Sequence, residues 1–252
     1  MEAMRKPFQG VLNIIRFNRH LYLLALALIV FLIAVSKYSN GTIHIISLTS
    51  VLLILISIVV SLGVSSYIYD FSELYSLKWI STDEKERMIV NIHAGFDETS
   101  YLLQSKFRKA ELKVFDFYNP LLHTEISIRR ARKAYPPFPQ TTHINTSDTK
   151  LVDDGADKIF VILAAHEIRV EEERVSFFNE LGKKLNERGQ IYVTEHLRDA
   201  PNFLVYNIGF FHFYSVKTWR RTFRNANLKI IREKKITPFI TTFILCKNGN
   251  SL

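Results

Sequence analysis

Residues 88–97 read Met-Ile-Val-Asn-Ile-His-Ala-Gly-Phe-Asp, an apolar run that ends in a glycine turn and is followed by a helical pattern. Short apolar runs of this kind alternate with longer amphipathic segments from residue 87 almost to the end of the chain. This alternation is typical of a parallel sheet whose strands are joined by crossover helices. The sequence therefore predicts an α/β domain over residues 81–252.

Seven apolar runs are predicted to be strands: 88–93, 111–117, 141–145, 158–164, 190–195, 228–233 and 239–246. Four amphipathic segments are predicted to be helices: 98–109, 121–134, 171–187 and 216–225. Gly189 is expected to close the third of these helices in a left-handed conformation. Only residues 234–238 separate the last two strands, so we expect a hairpin to end a seven-stranded mixed sheet.

Two stretches in residues 1–80 are apolar, at about 21–37 and 43–69, and Asn40-Gly41 supplies a turn between them. The second stretch exceeds the roughly 20 residues that cross a bilayer, and the first is near the lower limit. We expect a transmembrane helical hairpin, with residues 70–80 as a linker. A cleaved signal peptide is a poor alternative because a second span follows the first. A buried helical hairpin in a soluble protein is the other alternative.

The basic residues of the first part of the chain indicate its orientation. Arg5, Lys6, Arg16 and Arg19 precede the first span, whereas the hairpin turn offers only Lys37. Positive residues favour the cytoplasmic side of a membrane. We therefore expect a protein of the cytoplasmic or inner membrane whose α/β domain faces the cytoplasm.

The net charge of +9 on 252 residues does not indicate a nucleic-acid partner. The longest basic cluster is Arg129 to Lys133, and no nucleic-acid-binding signature accompanies it. We interpret the excess as a modest bias toward a membrane surface, with lipids as partners. The single Cys246 forms no internal disulfide and lacks the Cys/His spacing of a zinc site, so we expect no metal.

Four phrases in the predicted domain carry a family resemblance: Val90-Asn-Ile-His-Ala-Gly95, Lys113-Val-Phe-Asp116, Asp157-Lys-Ile-Phe-Val-Ile-Leu and Glu187-Arg-Gly-Gln-Ile-Tyr-Val. Over residues 87–247 the chain resembles the class I S-adenosylmethionine-dependent methyltransferases. Phrases such as Ala165-His-Glu-Ile are similar to a bacterial subgroup of them. The resemblance implies a Rossmann-like seven-stranded mixed sheet and S-adenosylmethionine as the cofactor.

The resemblance assigns roles to the turn after the first strand. Gly95 matches the glycine on which the methionine part of the cofactor rests, and Asn91 matches an acid within the strand. His93 and Asp97 stand where the family usually has glycines, so the turn must have a different shape. Two interpretations stay open: a modified turn in which His93 or Asp97 contacts the amino-acid end of the cofactor, or a degenerate domain that has lost binding.

Four more residues are implied to bind the cofactor. Asp116 ends the second predicted strand, about 20 residues beyond Gly95, where a carboxylate can accept both hydroxyls of a ribose. By resemblance, Phe117 lies against the adenine face and Asp148 meets the adenine amine. Ala165, at the end of the fourth strand, lies beside the reacting methyl group.

Polar pairs that follow the fourth and fifth strands are the catalytic candidates. His166 and Glu167 follow the fourth strand, Glu195 and His196 follow the fifth, and His212 lies in the segment after that. A histidine with a pKa near neutrality could take a proton from a phenol or an enol, if the methyl acceptor must lose one. Each residue taken alone could instead be a hydrogen-bonded structural group.

The segment from Phe203 to Trp219 contains seven aromatic residues. They could line a pocket for a lipophilic acceptor, pack the domain against a membrane, or belong in part to the core. The sequence thus predicts a membrane-anchored methyltransferase that acts on a lipophilic or aromatic small molecule. The alternatives are a non-catalytic membrane partner with a degenerate site, and another nucleotide-dependent enzyme on the same sheet.

Overall fold

A computed structural model of the protein describes residues 5–122, 125–147, 149 and 155–249. The chain divides into two compact units, a helical unit from Arg5 to Phe71 and an α/β unit that begins at Ser72.

The helical unit contains α1 (Gln9–Phe17), α2 (Arg19–Tyr38) and α3 (Thr42–Ser66), and α3 continues through a π-helical turn at Tyr67–Phe71. The predicted turn before α3 is confirmed, because Gly41 there adopts a φ of 61°. Both α2 and the continuous helix from α3 are long and apolar enough to cross a membrane, by length and composition. Most of their large aliphatic side chains are exposed within the unit.

The carboxylate of Asp70 holds α1 against the end of the π-helical turn. Its two oxygens accept the backbone N–H groups of Gly10 (2.6 Å) and Val11 (3.0 Å), which lie in the first turn of α1 and have no partner inside the helix. Gly10 allows this approach, because a Cβ atom on it would lie 2.3 Å from the Cβ of Tyr69.

The α/β unit is built on one seven-stranded sheet, and the predicted mixed sheet is confirmed. Its strand order is β3-β2-β1-β4-β5-β7-β6. The first five strands of that order are parallel, and β7 is antiparallel to both β5 and β6. The strands are β1 (Met88–His93), β2 (Glu111–Asp116), β3 (Thr142–His143), β4 (Ala156–Ile162), β5 (Leu185–His196), β6 (Leu228–Thr237) and β7 (Ile240–Lys247).

Five helices accompany the sheet: α4 (Ser100–Lys106), α5 (Ile126–Ala134), α6 (Glu171–Lys184), α7 (Ala200–Tyr206) and α8 (Val216–Asn225). The bounds of α8 are those predicted, and Ser215 caps it by accepting the Thr218 N–H (3.1 Å). The sequence analysis did not predict α7, which Asp199 caps through the Asn202 N–H (3.1 Å).

The central strands are buried on both faces. Ile159, Phe160 and Val161 of β4 are all fully buried. One face packs on α6 and α8 through Phe177, Phe178, Trp219 and Phe223, together with Phe243 of β7. The other face packs on Leu77, Trp79, Ile80, Leu103 and Phe107. Residues 77–80, expected to be part of a linker, therefore belong to the core of this unit.

The outer edge of the sheet at β6 is exposed and charged. Residues 231–235 read Ile-Arg-Glu-Lys-Lys, and all five are exposed. The pairing of β6 with β7 shifts register twice, between Ile230 and Arg232 and between Lys235 and Thr237. Such irregularities bend an edge strand and interrupt its ladder.

The prediction that Gly189 ends a helix is wrong. Helix α6 ends at Lys184, Leu185 already has an extended conformation, and Gly189 lies inside β5. A Cβ atom on Gly189 would lie 2.6 Å from the carbonyl oxygen of Ala156. The glycine is needed for this close approach of β5 to β4, where their register shifts between Ala156 and Lys158.

We expect Gly189→Ala to destabilise the α/β unit by about 1–3 kcal/mol, because the new methyl group forces a backbone shift. For a unit of this size, each kcal/mol lowers the melting temperature by roughly 2–4 °C. Thermal unfolding followed by tryptophan fluorescence measures this. The matched control is Gly209→Ala, whose Cβ would meet its nearest neighbour at an ordinary 3.7 Å. Equal melting temperatures for the two variants would contradict the assignment.

Candidate active site

The carboxyl ends of β1, β2, β4 and β5 lie along one edge of the sheet, as the parallel pairing requires. Ligands of such sheets bind at this edge. Two groups of polar side chains lie there. We call them the β1–β2 cluster, which comprises Asn91, His93, Gly95, Asp97 and Asp116, and the β4–β5 cluster, which comprises His166, Glu167, Glu195 and His212.

The carboxylate of Asp116 is the centre of the β1–β2 cluster, and it is 1% exposed. Its Oδ1 accepts the Tyr118 backbone N–H (2.9 Å), and its Oδ2 accepts an N–H of the Arg132 guanidinium (2.5 Å). His143 lies 3.6 Å away through Nδ1. Both oxygens of the acid predicted to bind a ribose are thus engaged by the protein itself.

Arg132 also determines the surroundings of Gly95. Its guanidinium donates to the Gly95 carbonyl oxygen (3.2 Å) and lies 4.3 Å from the centre of the Tyr118 ring. Gly95 has a φ of 93°, and a Cβ atom on it would lie 2.9 Å from Arg132 Nη1. Both the backbone conformation and the space available therefore require a glycine at this turn, whereas the contact of Gly95 with a cofactor stays a prediction.

His93 is buried and carries an unpartnered nitrogen. The Gly95 N–H donates to its Nδ1 (3.1 Å), whereas its Nε2 has no hydrogen-bond partner among the residues that the structure describes. Burial lowers the pKa of His93, although the carboxylates of Asp97 and Asp116 act in the opposite direction. The ring is therefore neutral at pH 7, and because Nδ1 accepts a hydrogen bond, its proton is on Nε2.

The side chains of Asn91 and Asp97 form hydrogen bonds with residues at the start of α4. Asp97 Oδ1 accepts the backbone N–H groups of Thr99 (2.9 Å) and Ser100 (3.0 Å). The Asn91 amide donates to the hydroxyls of the same two residues (3.0 and 2.8 Å), and its own oxygen is buried without a partner. Asp97 therefore acts as a helix cap here, in place of the third glycine of the family turn.

The cavity beside this cluster is small. Its volume is about 50 Å³, and it is lined by His93, Gly95, Asp97, Asp116 and Arg132, together with Phe96, Tyr135, Pro136 and Pro137. This is room for one or two water molecules, whereas ligand pockets measure roughly 300–1,000 Å³. Donors and acceptors line this cavity, and the Arg132 guanidinium occupies the space between Asp116 and the Gly95 carbonyl oxygen.

The remaining cofactor candidates are less informative. Phe117 is buried and packs against Phe177 of the core, with ring centroids 5.6 Å apart, so it does not offer an open face to an adenine. Ala165 is fully buried just after β4. Asp148 lies outside the described residues, and its predicted contact with the adenine amine stays a prediction.

The β4–β5 cluster is organised around the fully buried carboxylate of Glu195. His166 donates to it twice, from ring Nδ1 to Oε2 (2.6 Å) and from the backbone N–H to Oε1 (3.2 Å). On the other side of the ring, His166 Nε2 lies 3.3 Å from Glu167 Oε1. The same oxygen lies 3.4 Å from His212 Nε2, so the fold brings His166, Glu167 and His212 together beside Glu195, and of the catalytic candidates only His196 lies apart.

Further charged groups surround His212. Its Nδ1 lies 3.1 Å from Glu125 Oε1. The Arg169 guanidinium donates to the His212 carbonyl oxygen (2.7 Å), and its Nη2 lies 2.5 and 2.6 Å from the two ring nitrogens. Arg169 also lies 4.0 Å from Glu167.

These contacts change the acid–base character expected of His166. Burial alone would lower its pKa, but the charges of Glu195 and Glu167 and their hydrogen bonds raise it to about 10. Burial opposes ionisation of Glu167, but hydrogen bonds from His166 and His212 hold its pKa well below the usual range. At pH 7 the two side chains form an ion pair, so His166 is not the near-neutral base that the sequence analysis expects.

Three side chains of the β4–β5 cluster are potential metal ligands, although the sequence predicts no metal site. His166, Glu167 and His212 each offer one ligand atom, and these atoms lie within 4.8 Å of one another. The spacing around Cys246 gives no sign of this group, because it is assembled from distant parts of the chain.

His196 does not join the cluster. It is fully buried, its Nδ1 donates to Asn202 Oδ1 (3.0 Å), and its ring stacks on Phe213 with centroids 4.8 Å apart. Burial lowers its pKa to about 4. The residue predicted to be catalytic is a neutral packing group in this structure.

Sequence reasoning missed several residues that shape the site. Arg132 belongs to the basic cluster that was interpreted as a membrane contact. The available signal for its role was Asp116, an acid at a strand end to which no positively charged partner had been assigned. Glu125 and Arg169 carry no motif of their own. They reach the site only because α5 and the segment after β4 approach the 3-10 helix Asn207–His212.

No protein-family model and no curated protein sequence matches the chain. Among solved structures, an O-methyltransferase family 2 protein from Planctomyces limnophilus in complex with apigenin is similar with a TM-score of 0.51 and 11% identity, over 76% of this chain and 60% of that chain. A SAM-dependent methyltransferase from Aquifex aeolicus gives 0.49 and 14%, over 71% and 95%. One from Methanosarcina mazei gives 0.49 and 15%, over 66% and 94%. The α/β unit has the class I methyltransferase fold.

We expect His196 to weaken the folded state in acid. Its pKa is about 4 in the folded protein, against an ordinary 6.5, so its contribution is complete above pH 6.5 and is lost as the pH falls toward 4. Melting temperatures between pH 7 and 5 should fall more steeply in the wild type than in His196→Phe. Comparing slopes removes the constant effect of the substitution on packing. Identical slopes would contradict the lowered pKa, because they would show that His196 has the same pKa in the folded and unfolded states.

Proposed function

We propose that the protein is an S-adenosylmethionine-dependent methyltransferase. The observation that carries this proposal is the buried Asp116 carboxylate at the end of β2, beside the positive-φ glycine turn that follows β1. In a sheet of this order, that pair of features faces the position where a nucleoside cofactor binds. The unpartnered Nε2–H of His93 adds a buried donor at the same position.

S-adenosylmethionine would supply an activated methyl group. Asp116 would accept the ribose hydroxyls, and Gly95 would let the cofactor approach the backbone. For this, the guanidinium of Arg132 must leave Asp116 Oδ2 and the Gly95 carbonyl. Arg132 is carried on α5, and its side chain is 31% exposed, so the guanidinium can move toward solvent.

A specific observation favours a second candidate. The β1–β2 cavity of about 50 Å³ is closed by the ion pair between Arg132 and Asp116. A stable closure of this kind would make the domain a non-catalytic partner with the methyltransferase fold. The two candidates differ in whether the cofactor can displace the Arg132 guanidinium from Asp116.

The proposal includes a membrane anchor, formed by α2 and the continuous helix from Thr42 to Phe71. Their exposed aliphatic side chains would contact lipid, and the basic residues before α2 favour a cytoplasmic α/β unit. The anchor is the reason for proposing a lipophilic or aromatic acceptor. Phe203, Leu204 and Phe211 support this choice, because they are 47%, 71% and 61% exposed on one segment of the α/β unit.

Cofactor binding tests the first proposal through the competition at Asp116. S-adenosylhomocysteine, titrated calorimetrically into the full-length protein in detergent, should bind the wild type. Asp116→Asn should weaken binding at least tenfold. Arg132→Ala should tighten it about tenfold, since the cofactor no longer displaces a charged hydrogen bond worth about 1.5 kcal/mol.

Lys133→Ala is the matched control, because it removes a neighbouring positive charge of α5 that is exposed. Its affinity should equal that of the wild type. If neither the wild type nor Arg132→Ala binds at millimolar ligand, the degenerate-domain candidate replaces the enzyme.

The acceptor class is tested with a membrane-lipid extract. Full-length protein incubated with methyl-labelled S-adenosylmethionine and the extract should transfer label into the organic phase, and Asp116→Asn should lose most of that transfer. Label that is transferred from S-adenosylmethionine only to a water-soluble product would contradict a lipophilic acceptor while leaving the methyltransferase proposal in place.

A further inference from the structure

The rings of the two histidines of the β4–β5 cluster are oriented in the same way relative to the carboxylates around them. In each ring, Nδ1 faces a carboxylate: Glu195 lies 2.6 Å from His166 and Glu125 lies 3.1 Å from His212. In each ring, Nε2 faces the same oxygen, Glu167 Oε1, at 3.3 and 3.4 Å. Both rings therefore present their Nε2 atoms to one side chain from two different segments of the chain.

This is the arrangement of metal-ligating histidines. Such residues almost always donate their other ring N–H to a carboxylate or carbonyl, which fixes the ring and raises the basicity of the ligating nitrogen. Two imidazoles and one carboxylate are also the protein ligands of many catalytic zinc sites, in which a fourth position stays open.

The distances agree with this donor set. Bonds of about 2.0–2.1 Å from a tetrahedral zinc ion place its ligand atoms roughly 3.3 Å apart. Two edges of the triangle, from Glu167 Oε1 to the two Nε2 atoms, have that length already. The ligand atoms of all three residues lie within 4.8 Å of one another, so a small movement of the rings completes the site.

The site is also accessible. The side chains of His166, Glu167 and His212 are 12%, 17% and 27% exposed, whereas Glu195 behind them is fully buried. An ion can thus enter from solvent while the supporting carboxylate stays in place.

We propose that His166, Glu167 and His212 bind one divalent transition-metal ion of the zinc class, which displaces the Nε2 proton that His166 shares with Glu167. The geometry assigns Glu195 and Glu125 as positioning residues that hold the two imidazoles. The fourth coordination position is open to water or to an oxygen of a small molecule. That last assignment rests on the proposed function, since it places the acceptor at this end of the sheet.

Arg169 is the group that competes with the ion. Its Nη2 lies 2.6 Å from His212 Nε2 and 2.5 Å from His212 Nδ1, so the guanidinium must leave both nitrogens before Nε2 binds the ion and Nδ1 donates to Glu125. The Arg169 side chain is 42% exposed, so it can turn to solvent when the ion binds. Removal of Arg169 should therefore strengthen metal binding.

The test uses full-length protein in detergent, stripped with a chelator and dialysed against Zn²⁺. We expect one tightly bound ion per chain, and a Co²⁺-loaded sample with the intense visible absorption of a four- or five-coordinate site. His166→Ala, His212→Ala and Glu167→Gln should each weaken Zn²⁺ binding about a hundredfold or more. Glu195→Gln should weaken it by roughly 10–100-fold. Arg169→Ala should bind Zn²⁺ more tightly than the wild type.

His143→Ala is the matched control, because its ring is 67% exposed and lies at the other cluster. Its affinity should be unchanged. The proposal is overturned if the wild type and Arg169→Ala both retain less than a tenth of an ion, or if binding survives in the three ligand variants. The Co²⁺ spectrum of the wild type keeps the test decisive should a ligand variant fail to fold. None of these readouts depends on methyl transfer.

Discussion

The burial of β1 and β4 on both faces is the constraint on which the rest of the α/β unit depends. Strands without a solvent face need helices on both sides, and helices that join parallel strands must cross over from one end of the sheet to the other. Every crossover then begins at the same edge. The polar side chains of both clusters lie toward that end of the sheet, on or just after β1, β2, β4 and β5.

The two clusters differ in the side chain that compensates their buried carboxylate. In the β1–β2 cluster, the buried charge of Asp116 is compensated by Arg132. This residue reaches the carboxylate from α5, and its side chain is partly exposed. In the β4–β5 cluster, the buried charge of Glu195 is compensated by His166 from the adjacent segment. The ion pair between Arg132 and Asp116 can open without any movement of the sheet. In the pair between His166 and Glu195, by contrast, the carboxylate is fully buried in the sheet.

The fold was largely predictable because its signals are local. Apolar runs of strand length and a capped amphipathic helix such as α8 appear within a few residues of sequence. Gly189 was misread because a glycine after a helical pattern resembles a helix end. Its real constraint is the Ala156 carbonyl of a neighbouring strand, which no local pattern contains. Helix α7 was missed because its aromatic residues suggested a pocket wall.

The site was predictable in its positions but not in its contacts. Asp116 ends β2 and Gly95 follows β1, and the strand order places them together. The contact of Asp116 with Arg132, the pairing of His212 with Glu167 and the effect of Glu195 on the pKa of His166 depend on side chains that are far apart in sequence. Its near-neutral value was expected from the residue type, and two carboxylates on opposite sides of the ring change it.

The outer strand β6 has a consequence for how copies of this chain meet. A sheet edge offers unpaired backbone groups to any other edge of suitable length. Here the exposed run of residues 231–235 carries Arg232, Glu233, Lys234 and Lys235, and two register shifts bend the strand. A second sheet that approached would have to desolvate those charges along an uneven ladder. The β6 edge is therefore a poor site for edge-to-edge pairing with the sheet of a second copy of this chain.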